Sequence, residues 1–152
     1  MNVKTKNTAV FLLENTLQSV KEVLPFTIQA DKPSILTQPY QQHSIGVLIG
    51  ITGDIRGRLI IDGNEKTFSS IGEGMFGMAI EGELLESFAG ELGNMFGGKL
   101  STSLAAFGFN MDITPPTVLV GETKLYGFDK AFRLPISIEN IGKLMLLLMF
   151  DE

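Results

Sequence analysis

The sequence predicts an α+β domain, a mostly antiparallel sheet packed against a long central helix and one or two further helices. Three observations carry that prediction. Apolar residues recur at helical spacing in two long stretches, residues 7–24 and 83–107. Two pairs of β-rich runs, 44–52 with 56–62 and 131–138 with 143–150, are each separated by a few residues that include Gly, Asp or Asn. The resulting order is helix, strands, helices, strands, which favours helices packed on an antiparallel sheet.

The first helix is carried by Val10, Leu13, Leu17, Val20 and Leu24, and Pro25 stops it. Residues 26–42 have a weak pattern, and Pro33 and Pro39 confine any strand there to short or edge positions. The aliphatic runs SIGVLIGIT and RGRLIID then make a hairpin around Gly53-Asp54. After a turn at Asp62-Gly63-Asn64, Phe68, Ile71 and Met75 give a short helix weakened by Gly72 and Gly74. Glu81 and Glu83 suit the positive end of the central helix. Its core face is expected to hold Leu84, Leu85, Phe88, Leu92, Met95 and Phe96, and Leu100, Leu104 and Phe107 continue the period. The helix either runs through Gly97-Gly98 to a Gly108 terminator or breaks at the glycine pair. Beyond Pro115-Pro116, residues 117–120 are strand-like, and a terminal hairpin turns at Asn140-Ile141-Gly142, with Pro135 marking an edge or a bulge.

With 152 residues the chain is expected to form one domain, 1–152, without linker or internal repeat. Its hydrophobic content of 44% and charged content of 19% are those of a globular protein. A net charge of -5 argues against a nucleic-acid footprint. The absence of cysteine excludes disulfides, thiolate metal sites and a cysteine nucleophile. The longest apolar run, residues 144–150, is too short to span a bilayer, so no membrane partner and a cytoplasmic location are expected. The single histidine, His43, follows a polar stretch and reads as a surface residue, and no metal site is visible.

Chemistry concentrates in residues 83–99, ELLESFAGELGNMFGGK. At ~100° per residue, Ser87, Glu91 and Asn94 share one polar stripe. Gly90, Gly93 and Gly97 form a second, nearly bare one. Three glycines cost ~1 kcal/mol each against alanine, which implies close approach of another backbone, from a partner or from a neighbouring helix of the same chain. A solvated surface glutamate is the other reading of Glu91 alone. An asparagine one turn away makes the pair harder to dismiss, because asparagine in mid-helix competes for backbone hydrogen bonds.

The spacing S-x-x-x-E-x-x-N of Ser87, Glu91 and Asn94, with Pro115-Pro116 some twenty residues on, resembles the CheC/CheX/FliY phosphatases of bacterial chemotaxis. Its single copy is most similar to CheX. The resemblance covers roughly residues 8–150 and implies removal of the phosphoryl group from the aspartate of a phosphorylated CheY-type response regulator. It implies Asn94 and Glu91 as catalytic residues, Asn94 positioning the attacking water and Glu91 pairing with a lysine of the regulator. Ser87, Gly90 and Gly93 become partner-binding residues. The implied cofactor, Mg2+, belongs to the regulator and not to this chain. A homodimer joined through sheet edges is also implied, for which the terminal hairpin is expected to supply an apolar edge. The alternative is a non-catalytic adaptor that binds a response regulator or flagellar switch component through the same helix.

Overall fold

The structure, a computed structural model, describes residues 3–37, 39–42, 44–128 and 131–150. His43 lies outside the described residues. Helix α1 (Val3–Val23) precedes three short strands, β1 (Ile28–Ala30), β2 (Ser34–Leu36) and β3 (Tyr40–Gln42). The hairpin β4 (Ile45–Gly53) and β5 (Gly57–Gly63) leads into α2 (Glu65–Phe76) and α3 (Gly82–Ala105). Five strands follow: β6 (Met111–Ile113), β7 (Thr117–Val120), β8 (Thr123–Leu125), β9 (Ala131–Ile138) and β10 (Gly142–Phe150).

Eight strands form one antiparallel sheet with β9, β10, β5 and β4 at its centre. β1 and β2 line one edge along β9, and β6 and β7 line the other along β4. The terminal hairpin therefore offers no free edge. β10 lies between β5 and β9, while β1 and β2 cover the outer side of β9, so the expected pairing of two copies through this hairpin is corrected. Pro135 lies in no edge strand but does face a bulge, since three residues, 31–33, between β1 and β2 stand opposite two, 134–135, of β9. It faces the gap between β1 and β2, where its carbonyl accepts from the Asp31 N–H at 2.8 Å and its missing donor falls on the same unladdered side.

The three helices pack on one face of the sheet. Period-2 alternation sends Ile45, Val47, Ile49 and Ile51 of β4 and Leu59 and Ile61 of β5 into that core. Leu85, Phe88, Leu92, Phe96, Leu100 and Leu104 of α3 meet them. In α1 the buried line is Ala9, Leu12, Leu13 and Val20, and Val10 points outward. Thr16 and Ser19 complete that line, their hydroxyls donating to the Leu12 and Asn15 carbonyls at 2.7 and 2.8 Å. Helix α2 is better anchored than its glycines suggest. Asn64 Oδ1 accepts from the Thr67 N–H at 2.7 Å, and Gly77, at φ 75°, closes the last turn onto the Glu73 carbonyl at 2.7 Å.

The opposite face carries a smaller core of Ile60, Leu125, Ala131, Leu147 and Met149, flanked by the separate two-stranded sheet of β3 and β8. Polar groups are enclosed here as well. The Tyr40 hydroxyl donates to Asp62 Oδ2. Burial, that hydrogen bond and the Asp62 charge push the phenol above its ordinary range, and the Arg133 guanidinium opposes them. Gln42 is fully buried, and neither atom of its amide finds a hydrogen-bond partner among the described residues.

Candidate functional site

Helix α3 runs unbroken through Gly97-Gly98, as the longer of the two sequence readings expects. It ends where Gly108, at φ 89°, lets the Gly108 and Phe109 N–H groups return to the Ala105 and Leu104 carbonyls at 3.0 Å. Two further bonds fix its orientation. Ser101 Oγ donates to the Met111 carbonyl at 3.2 Å, and Ser103 Oγ donates to Asn15 Oδ1 of α1 at 2.7 Å. With its inner side held against the sheet, α3 turns Ser87, Glu91 and Asn94 to the outside, all three exposed. No hydrogen bond or ion pair joins any of these side chains to another described residue. Their polar atoms are available to a partner.

A wall rises beside this stripe. β6 and β7 are one edge strand in two pieces, since Ile113 pairs with Ile51 and Thr117 resumes at Leu48. Three residues, 114–116, therefore face two, 49–50, and the extra one makes a β-bulge. Pro115 and Pro116 fill it, where a regular ladder would need their missing donors. Thr114 pins the bulge to β4. Its backbone N–H reaches the Gly50 carbonyl at 2.9 Å, and its Oγ1 accepts from the Gly50 N–H at 2.8 Å. A Cβ on residue 50 would meet Thr114 Cγ2 at 2.8 Å, so glycine is what allows the contact. Between wall and helix lies an open cleft of about 590 Å³, lined by Glu86, Ser87, Gly90, Glu91 and Asn94 on the helix and Thr114, Pro115, Pro116 and Val118 on the wall.

The structure thus brings Ser87, Gly90, Glu91 and Asn94 together around one cleft and leaves Gly93 out. Gly93 is buried and faces the sheet, where a Cβ would stand 2.6 Å from Val47 Cγ1. Its assignment to partner binding is corrected: the close approach that its missing side chain permits is to β4. Gly97 does the same toward Ile113, at 2.8 Å. Leu84 and Met95, expected in the core, are exposed, because α3 turns Leu85, Phe88, Leu92, Phe96, Leu100 and Leu104 to the core instead. Thr114 and Gly50 were not singled out from the sequence. Gly50, one of two glycines inside the β-branched run of β4, was the available signal.

A family model described as chemotaxis phosphatase CheX matches residues 45–129, from β4 through the site helix and its bulged wall to beyond β8. The chain belongs to the CheX family. The CheY-P phosphatase CheX of Thermotoga maritima is 37% identical over 131 residues, which cover 84% of this chain and 84% of that protein. Two solved structures show the same CheX-like fold. A CheC-like superfamily protein from Shewanella sp. PV-4 superposes with a TM-score of 0.77 at 24% identity and covers 100% of both chains. A CheX–CheY–BeF3–Mg2+ complex from Borrelia burgdorferi gives a TM-score of 0.75 at 23% identity, over 93% of this chain and 96% of that one. Among the described residues no helix is long and apolar enough to cross a membrane.

Proposed function

We propose that this protein hydrolyses the aspartyl phosphate of a CheY-type response regulator by inserting the outer face of α3 into the regulator's active site. The observation that carries the reading is the pairing of Glu91 and Asn94, one turn apart, exposed and without internal hydrogen-bond partners among the described residues, beside an open cleft. The relative from Thermotoga maritima, named a CheY-P phosphatase, supports it.

Hydrolysis of an acyl phosphate requires a water in line with the leaving oxygen and compensation of charge on the phosphoryl group. The amide of Asn94 can accept one hydrogen bond from that water and donate another, and it does not titrate, so it positions the nucleophile at any working pH. Mg2+ held by the regulator would supply the positive charge, since none of the described residues lining the cleft is basic. Glu86 and Glu91 place two carboxylates along the cleft, which suits a lysine of the regulator and repels a bare phosphoryl group. Glu91 therefore aligns the partner, and Asn94 acts on the water.

The test is the decay of a phosphorylated CheY-type regulator from the source organism, with wild type beside Asn94→Ala and Glu91→Ala. Wild type accelerates decay. Asn94→Ala lowers the catalysed rate by ~10²-fold, the scale of one preorganised polar group, and Glu91→Ala weakens productive docking without unfolding the protein. Binding without acceleration, or full activity in Asn94→Ala, sinks the mechanism and leaves the adaptor reading.

A further inference from the structure

Leu84 and Met95 are 57% and 36% exposed on a helix whose core requirement is already met. They are eleven residues apart on α3, and eleven steps of ~100° return the helix to within about 20° of its starting direction, ~16 Å further along. Glu91, seven residues from Leu84, falls on the same line. The unpaired carboxylate is thus bracketed by two exposed apolar side chains, one on each side along the helix. A third lies beside the line: Phe76, at the end of α2, is 60% exposed and stacks edge-on against Phe88, one turn from Leu84 toward Glu91, with ring centroids 5.8 Å apart.

Scattered surface hydrophobes need no explanation, but this arrangement has a physical use. An ion pair in water is worth only about 0–1 kcal/mol, too little to hold two proteins in register. Contacts that ring a polar pair and exclude water from it strengthen the pair and supply affinity of their own. We infer that Leu84 and Met95, with Phe76 beside them, are docking contacts that seat on apolar side chains flanking the phosphorylation site of the response regulator, enclosing the Glu91–lysine pair between them. The occupant is the regulator because the apolar line is continuous with the stripe that carries Glu91 and Asn94, so whatever meets those two residues must also meet Leu84 and Met95. The inference rests on the function proposed above and adds to it the residues that set affinity. It also assigns a docking role to the two positions that helical periodicity alone places in the core.

The experiment separates affinity from chemistry. Leu84→Ala and Met95→Ala are compared with wild type in steady-state dephosphorylation, and in titration with the regulator loaded with beryllofluoride and Mg2+. Each substitution is expected to raise KM and the Kd of the loaded regulator about 5- to 10-fold, with kcat near the wild-type value. Ile35→Ala, which trims an exposed apolar residue on the opposite sheet edge, leaves both constants unchanged. Unchanged KM and Kd in the two α3 variants overturn the inference. So does a fall in kcat alone, or a change in oligomeric state by sedimentation without a change in Kd, which would assign the patch to a second copy of this chain. If wild type binds the loaded regulator but fails to accelerate decay, the phosphatase reading fails while the titration still decides the docking contacts.

Discussion

The seating of α3 can be tested by two chemically identical substitutions in one helix, Gly93→Ala and Gly98→Ala. Both gain the same ~1 kcal/mol of helix propensity from replacing glycine with alanine. Their surroundings differ. A Cβ on residue 98 meets nothing within 4 Å, whereas one on residue 93 stands 2.6 Å from Val47 Cγ1 and 3.2 Å from Val47 Cβ. Ordinary carbon contacts lie near 3.5–4.0 Å, so the overlap approaches ~1 Å. Val47 cannot yield easily. It is fully buried and β-branched, on a strand bonded to β5 on one side and β7 on the other. Overpacking of this kind costs about 1–3 kcal/mol. Gly98→Ala should therefore stabilise by about 1 kcal/mol and Gly93→Ala destabilise by about 1 kcal/mol. Because the propensity gain cancels between the two, the difference of about 2 kcal/mol measures the clash, and in a domain of 152 residues it corresponds to about 4–8 °C in Tm. Urea and thermal unfolding of the three proteins provide the check. Equal stabilisation by both substitutions would refute the placement of Gly93 against β4. The same outward displacement of α3 would move Asn94, the next residue, so a Gly93→Ala protein that folds should also lose phosphatase activity.

Two predictions concern the other face of the sheet. Gln42→Met replaces a buried amide that has no described partner with an unbranched side chain of similar length, and should raise stability by about 1 kcal/mol in urea unfolding; a loss would show that the amide is hydrogen-bonded. The phenol of Tyr40 holds its proton more tightly folded than unfolded, so its contribution to stability is complete below the ordinary tyrosine value of about 10 and is lost as pH rises through the folded value. Denaturation midpoints collected from pH 8 to 11.5 should fall less steeply in Tyr40→Phe than in wild type, and parallel curves would contradict the raised value.

Glu91 and Asn94 were legible in the sequence because helical spacing alone brings them to one stripe, and the stripe remains exposed whatever lies beneath it. Leu84 and Met95 were misplaced for a related reason. Periodicity groups apolar residues, but cannot tell which of them a helix turns to its neighbours: α3 packs on β4 and on α1, and Leu84 and Met95 remain exposed. The glycine stripe announced a close approach without saying to what. Gly93 meets Val47, some forty-six positions earlier in the chain, and only the packing of α3 on β4 reveals it. Pro115 and Pro116 gave no sign of a bulge in the sequence, because their role depends on a one-residue excess over β4, a property of strand pairing that neither strand shows by itself. The cluster of Tyr40, Gln42 and Asp62 was equally hidden, being assembled from different strands by the docking of β3.

Both borders of the large sheet are divided at proline. On one side Pro33 lies in the interval between β1 and β2, and on the other Pro115 and Pro116 lie between β6 and β7. Each border therefore presents only three or four consecutive residues before the run of donors and acceptors stops. A foreign strand finds no long template on which to grow. For a chain with 44% hydrophobic residues, borders this short leave little backbone on which fibrillar self-association could start.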